Sequence, residues 1–325
     1  LPWKLTAGDV DKAREESAYV VKDEVSTTWV NQCCMGTSGC LAEFDSNNNL
    51  TFVSLTNVIF GAKGRISNYL KNIGLKGKRI RVVNPVVGGS FGTKLDTDIY
   101  EFIAIQLALH TRKPVKIQFS REEEFFALPP RQPAHFTIEQ GCDKDGHLTF
   151  RKVEAILDNG AYTSWGATTP SVMMMPISSM YRVPNVYFQA TNNIYAQAMR
   201  GYGNPQAAFA VETSMDHLAE VAGFDPAEFR MINCNHPGDE TPMGLKITTC
   251  PLDKCITAVK EKIGWDEKRG KRNGRGVGMA SLIHVAGGAR VYKSDGSGIR
   301  IKVTENGELD VLSGSTDQGQ GSPTV

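Results

Sequence analysis

No run of this sequence approaches the roughly 20 apolar residues that a membrane-spanning helix requires, and Leu1-Pro2-Trp3-Lys4 does not begin a charged-then-apolar leader. The expectation is a cytoplasmic protein with no membrane partner. An excess of one charge is missing too. Lys plus Arg (36) nearly cancels Asp plus Glu (35), and a net charge of +1 leaves no long-range field to gather nucleic acid. Cysteine is sparse: seven residues (33, 34, 40, 142, 234, 250 and 255), an odd and scattered set, argue against a secreted disulfide framework. Cys33-Cys34 with Cys40 matches neither a paired Cys-x-x-Cys zinc site nor the runs that hold iron-sulfur clusters, so reduced structural thiols and no direct metal ligands are expected. Internal repeats and low-complexity tracts are absent as well.

What is present is an ordinary globular composition, with 325 residues, 41% hydrophobic and 22% charged, enough for about two domains. Polar turn formers at Ser46-Asn-Asn-Asn49 separate two β-prone runs, Cys40–Asp45 and Leu50–Ser54. Asp145-Gly146 and Asn306-Gly307 predict two further hairpins, the first joining His135–Gln140 to Leu148–Leu157 and the second joining Ile299–Thr304 to Leu309–Leu312. Helices are interleaved. Asp98–Leu109 is apolar on most faces and reads as a buried helix. Pro205–Ala222 gathers Ala208, Val211, Met215, Leu218, Ala219 and Ala222 on one face, with Gly223 placed to end it. Asp225-Pro-Ala-Glu228 carries the cap, proline and acid of a helix start. The polar, basic stretch between Trp265 and Gly276 has the composition of a linker, which puts a domain boundary at about residue 264. The expected fold is α+β, with mixed sheets and packed helices in residues 1–264, and the linker and opening strands of a second domain in 265–325.

Three glycine-containing loops stand out. In Arg79–Lys94 a strand runs through Val86-Val-Gly-Gly-Ser-Phe-Gly-Thr-Lys94 towards the buried helix, where Gly88, Gly89 and Gly92 permit positive φ and amides near a helix start can donate to oxygen. The order matches neither a Walker A loop nor a dinucleotide fingerprint, and a tight structural turn is as compatible with it as a ligand cradle. Ala196-Gln-Ala-Met-Arg-Gly-Tyr-Gly-Asn-Pro-Gln206 sets Arg200 beside two glycines and Tyr202, either to hold an anion with a forked pair of hydrogen bonds or as a surface arginine in a turn. Asp317-Gln-Gly-Gln-Gly-Ser-Pro-Thr324 offers further amides.

Taken together, in order and at compatible separations, these loops resemble those of the molybdenum hydroxylases. The chain resembles the large, molybdenum-cofactor-binding subunit of the xanthine dehydrogenase and aldehyde oxidoreductase family. Arg112-Lys-Pro-Val-Lys-Ile-Gln-Phe-Ser-Arg-Glu-Glu-Glu-Phe125 and Leu157-Asp-Asn-Gly-Ala-Tyr-Thr-Ser-Trp-Gly166 are similar to its connecting signatures. The resemblance implies a molybdenum-pyranopterin cofactor (molybdopterin or its cytosine dinucleotide), with the amides around Gly88, Gly89, Phe91 and Gly92 facing the metal's ligands. Arg200 would approach from its own loop, and Gln320 would hydrogen-bond the pterin. It implies water-derived hydroxylation of an aromatic or aldehyde carbon with hydride transfer to the molybdenum centre. The general-base glutamate would lie beyond Val325, in the remaining part of the large subunit. Glu122, Glu123 and Glu124 do not fit its context and read as a solvated or capping run. Iron-sulfur clusters and FAD would reside on partner subunits, since this chain has no cysteine pattern for clusters.

The substrate side departs from the purine-oxidising members. Leu95 stands where they carry a purine-binding acid, Val172 where a substrate-orienting arginine is expected, and Tyr202 replaces a phenylalanine. The glutamine expected after the first hairpin is absent from Ser54-Leu-Thr-Asn57. Losing polar anchors costs a purine about 1 to 3 kcal/mol for each hydrogen bond, so xanthine is not the expected substrate. Ala198–Gly203 together with Gly274–His284 look closest to the 4-hydroxybenzoyl-CoA reductases, which would reverse the chemistry and dehydroxylate an aromatic acyl-CoA. His284 reads either as lining the substrate pocket or as a satisfied histidine packed on the sheet. Two other classes remain open: an inactive cofactor-binding or assembly fragment, and a nucleotide-binding protein using Gly88–Lys94 as a phosphate loop.

Overall fold

The computed structural model describes residues 3–158, 165–193, 198–271, 274–284 and 296–324. In chain order the strands are β1 (Trp3–Ala7), β2 (Tyr19–Thr27), β3 (Gly39–Phe44), β4 (Leu50–Ser54), β5 (Ile80–Val83), β6 (Val115–Gln118), β7 (Ala134–Cys142), β8 (Leu148–Asp158), β9 (Asn185–Asn193), β10 (Ile299–Val303) and β11 (Leu309–Ser313). The helices are α1 (Val10–Glu16), α2 (Ile59–Asn72), α3 (Ile99–Thr111), α4 (Arg121–Ala127), α5 (Thr169–Ser178), α6 (Asn204–Ala222), α7 (Pro226–Ile232), α8 (Leu252–Ile263) and α9 (Trp265–Lys268). The interleaving is that of the expected α+β class. Of the sequence signatures, residues 159–164, 196–197, 272–273 and 325 lie outside the described residues.

Turn chemistry sets the strand pairs. Asp45 Oδ1 accepts the amides of Asn47 and Asn49 at 2.9 and 2.8 Å, and β3 and β4 pair antiparallel across that turn. Gly146 and Gly307 take φ of 84° and 81° in the turns joining β7 to β8 and β10 to β11, both antiparallel. The caps also follow the sequence. Asp225 accepts from the amides of Ala227 and Glu228 at the start of α7, and Gly223 ends α6 at φ 78°.

The chain forms two units. One comprises Leu1–Trp29, Gln132–Ala196 and Gly201–Val291, the other Val30–Arg131, Gln197–Arg200 and Tyr292–Val325. In the first, a five-stranded sheet of order β1-β9-β8-β7-β2 pairs antiparallel except for β8 with β9. Phe136, Ile138, Val153 and Leu157 of its strands share a core with Met173 and Ile177 of α5 and with Val211, Met215 and Leu218 of α6. Arg230 of α7 is fully buried and paired with Glu212 of α6 at 2.8 Å and with Asp216 at 2.7 Å, which fastens the two helices by charge as well as packing. Trp265, at the head of the stretch that composition marks as a linker, is 1% exposed and donates from Nε1 to Asp225 Oδ2 at 3.0 Å. It packs with Ala227, Cys234 and Ile256, because an indole left in water forfeits more apolar burial than the polar neighbours can offset.

In the second unit, a four-stranded sheet of order β5-β4-β3-β6 carries α2 and α3 over Ala42, Leu50 and Phe52. Here one expectation needs correcting. α3 buries Glu101, Ala104, Ile105 and Ala108, but Ile99, Ile103 and Leu107 are 66%, 47% and 45% exposed. Its apolar positions are too dense to reveal which face the sheet takes, and only one is taken. The β10–β11 hairpin is exposed along both strands, with Ile299, Ile301, Val303, Leu309 and Val311 in register on one face.

Candidate functional site

The first glycine loop leaves β5 at Val83 and reaches α3 at Ile99. Gly88, Gly89 and Gly92 take φ of 68°, 92° and 110°, and Phe91, without glycine's freedom, takes 52°. Two of the three glycines answer to the protein itself. A Cβ on Gly92 would stand 2.2 Å from the Ala198 carbonyl oxygen, and one on Gly88 would stand 2.8 Å from Gly36 Cα. At Gly89 the nearest neighbour is the Phe91 ring, with no backbone closing over it. The loop's carbonyls are engaged: Gly88 O accepts from Gly36 N at 2.9 Å, Ser90 O from Thr93 N at 3.0 Å and Phe91 O from Arg200 N at 2.8 Å. The amides of Gly89 and Phe91 meet no acceptor among the described residues, which leaves two donors for a ligand.

Arg200 is joined to this loop twice, through its amide and through its guanidinium, whose carbon lies 5.8 Å from the Phe91 ring centroid. Its own carbonyl accepts from Arg131 Nη2 at 2.5 Å, and the Ala198 carbonyl accepts from Gln32 Nε2 at 3.5 Å. Arg131 and Gln32, both buried, carry no motif of their own in the sequence; their partners, the Met199 sulfur and the carbonyls of Pro129, Ala198 and Arg200, include segments remote in the chain.

A cavity of about 990 Å³ opens in this unit. Gly88, Gly89 and Phe91 line it together with Asp317, Gln318 and Gly319 and with Cys33 and Met35. The first and third loops therefore line one cavity, and the Arg200 loop braces the first. Asp317 Oδ1 accepts the amides of Gly319 and Gly321 at 2.8 and 3.2 Å, shaping the third loop as an Asx turn. Gln320 is not among the lining residues. Its Oε1 accepts from Gln318 N at 2.7 Å and its Nε2 donates to Thr316 O at 3.0 Å, so both ends of its amide are used inside the loop.

Behind the Cys33–Met35 wall lies a residue whose role the sequence disguised. Lys94 is 4% exposed and donates from Nζ to Gly36 O and Val87 O, each at 2.7 Å. Burial holds its ammonium below the usual lysine range. A phosphate loop needs its lysine free to reach the ligand, and this one is turned back onto two carbonyls; the geometry counts against the nucleotide reading. Arg121 Nη2 donates to Cys34 O and Met35 O, and Cys34 Sγ donates to Ser90 O at 3.2 Å. Glu123 caps α4, as a capping run should. Glu124, however, is not solvated: it is 2% exposed and accepts from Ser38 N at 2.6 Å and Ser38 Oγ at 3.1 Å.

The substrate-side residues are scattered over both units. Leu95 is half-buried, lies outside the cavity lining and gives its carbonyl to Arg65 Nη2 at 3.0 Å. Val172 is 1% exposed inside α5. Tyr202 takes φ 47° just before α6, where Gly203 packs so closely on Thr169 that a Cβ would meet it at 2.5 Å. His284 is exposed, and its Nδ1 lies 3.1 Å from Asn204 Nδ2. Since Asn204 Nδ2 also donates to Ile283 O at 2.6 Å, it is the donor to His284, whose proton then sits on Nε2.

Just past the first loop, Glu101 accepts from Ser54 Oγ at 2.6 Å and from Asp98 N at 3.0 Å. Burial pushes the Glu101 carboxyl up to about 7. Asp98 is also pushed up to about 7, by burial first and by the charge of Glu101 second. Among the described residues no group of three or more His, Cys, Asp or Glu is disposed to hold a metal ion, and no helix is long and apolar enough to cross a membrane.

A family model described as molybdopterin cofactor-binding domain matches residues 2–234, and a second of the same description matches residues 258–325. The xanthine dehydrogenase molybdenum-binding subunit of Escherichia coli O157:H7 is 29% identical over 332 residues, covering 99% of this chain and 44% of the relative. The nicotinate dehydrogenase large molybdopterin subunit of Eubacterium barkeri is 31% identical over 274 residues, 82% of this chain and 64% of that one. Among solved structures, quinoline 2-oxidoreductase from Pseudomonas putida 86 aligns with a TM-score of 0.82 at 19% identity over 99% of this chain and 44% of its own, a likeness of fold. The chain thus spans less than half the length of the E. coli relative.

Proposed function

The chain belongs to the molybdopterin cofactor-binding domain family, and from that premise we propose that it is part of the large subunit of a molybdenum hydroxylase-type oxidoreductase. The observation that carries this reading is the cavity lined by both the Gly88–Phe91 loop and Asp317–Gly319, with the amides of Gly89 and Phe91 unused among the described residues. Its volume, about 990 Å³, suits a ligand of pyranopterin size, and Arg200 adds a permanent cation beside it. The residues present therefore fit the group. Gly88, Gly89 and Phe91 would receive it through their backbone, Gly92 would let the loop pack against Ala198, Arg200 would neutralise its negative charge, and Gln320 would hold the shape of the third loop rather than reach out of it. The bound cofactor supplies two-electron redox chemistry with oxygen from water. This chain binds and orients it, while the general-base glutamate is supplied by the remaining part of the large subunit.

Within the same proposal, iron-sulfur and FAD subunits carry electrons away, the complex is cytoplasmic, and the boundary between the two cofactor domains falls near residue 264. The substrate is an aromatic or aldehyde carbon, or an aromatic acyl-CoA if the reaction runs reductively, with Leu95, Val172, Tyr202 and His284 as the candidate substrate-side residues. Apolar Leu95 and Val172 at positions where purine-oxidising members carry polar anchors support something other than xanthine. Metal and pterin analysis of the native complex, with mass spectrometry of its subunits, tests the proposal. Molybdenum and pterin in equal amounts beside an iron-sulfur subunit is the expected result. Their absence from an intact complex would sink it and leave a cofactor-free assembly fragment.

A further inference from the structure

We propose that Lys94 is a positioning residue for the cofactor site, tying the Cys33–Gly36 segment to the first glycine loop and so setting the separation of two cavity walls. The inference rests on the functional reading above for what the cavity holds, and on geometry alone for the brace. Cys33 and Met35 line the cavity together with the first and third loops, yet their segment belongs to none of the three glycine motifs. It is fixed from behind. Gly36 N donates to Gly88 O at 2.9 Å, Cys34 Sγ donates to Ser90 O at 3.2 Å, and the Lys94 ammonium bridges Gly36 O and Val87 O at 2.7 Å each.

The chemistry explains why a lysine stands here. Two carbonyls from segments more than fifty residues apart converge on one buried point, and neither has another donor among the described residues. A single group with several N–H bonds on a flexible stem can satisfy both, and no neutral side chain of that length can. The approach is already as close as backbone allows, since a Cβ on Gly36 would meet Gly88 Cα at 3.1 Å and Val87 O at 3.2 Å. With the bridge removed, two buried acceptors lose their donor and are satisfied only if the walls part and admit water. The amides of Gly89 and Phe91, two and four residues beyond Val87, would then lose their fixed direction.

The test uses the assembled complex purified through this chain, with wild type, Lys94→Met and Gly36→Ala compared. Three quantities are read: melting temperature, molybdenum and pterin per chain, and hydrogen exchange of peptides covering residues 32–37 and 84–94. Lys94→Met is expected to stay folded, to retain at least tenfold less pterin and to exchange at least tenfold faster in both peptides but not in α6. Gly36→Ala, which leaves the ammonium in place and pushes the walls apart, is expected to lose pterin as well, and it carries the test if Lys94→Met does not fold. Wild-type pterin content and exchange in these variants would overturn the proposal. If wild type itself holds no pterin, the functional reading fails, and the exchange measurement alone decides whether Lys94 is the brace.

Discussion

Replacing Glu101 by glutamine should make the protein more stable at pH 8 and leave it nearly unchanged at pH 4. Glu101 is 2% exposed, and its carboxyl is held at about 7 against an ordinary 4.5. Below the ordinary value the group is protonated both folded and unfolded and contributes no pH dependence. Between 4.5 and 7 the folded state keeps a proton that the unfolded chain has released, so stability falls as pH rises through that window; above 7 the full penalty of a buried carboxylate is present. At about 1.4 kcal/mol per pKa unit the difference amounts to about 3 to 4 kcal/mol. Glutamine can still accept from Asp98 N and can donate to Ser54 Oγ, and its neutrality lets Asp98 fall back towards its own ordinary range. Urea unfolding of wild type and Glu101→Gln at pH 4, 5, 6, 7 and 8 measures this. Wild type should lose stability across the series and the variant should lose much less, the curves converging at pH 4. Parallel curves, or a variant weaker than wild type at pH 8, would refute the reasoning.

Three further outcomes are expected. Gly92→Ala should cost about 2 kcal/mol or more, from a left-handed φ and a Cβ driven into the Ala198 carbonyl, read as a lower urea midpoint with unchanged m-value. Trp265→Phe keeps most of the buried ring but strands Asp225 Oδ2, so about 1 to 2 kcal/mol should be lost by the same measurement, and an unchanged midpoint would mean that this hydrogen bond does not form in solution. Arg230→Met leaves Glu212 buried without its cation and should destabilise by about 3 to 5 kcal/mol at pH 8; restoring much of the loss by adding Glu212→Gln would identify the stranded charge as the cause.

Much of this could be read before any coordinates, and the reasons differ by element. The hairpins at Asp145-Gly146 and Asn306-Gly307 were legible because positive φ at the second turn position selects glycine locally. α6 was legible because its apolar face is spaced at helical period and closed by a glycine. Family likeness came from loop order, a pattern that survives where overall identity is low. What stayed hidden depends on contacts between segments remote in sequence. Nothing local distinguishes a lysine turned back on Gly36 and Val87 from one reaching outward. Gln320 is a different case, since its partners Thr316 and Gln318 are near in sequence and only its rotamer decides whether it closes on its own loop. The cavity-lining position of Cys33 and Met35 is not legible because a cavity wall needs no motif of its own.

The division of the chain into interleaved units imposes a timetable on the site. Residues Val30–Arg131 belong to the second unit, but Ala198 and Arg200, which clasp the first glycine loop, leave the ribosome only after the intervening stretch of the first unit. At 5–20 residues per second that delay is roughly 3 to 13 s. The Asp317–Gly319 wall emerges later still. A nascent chain therefore exposes Val86 and Met35, 93% and 94% exposed even in the finished fold, for seconds before the cavity exists. The cavity cannot be filled before the third loop is made, and any factor that shields this surface during synthesis must depart before that loop closes.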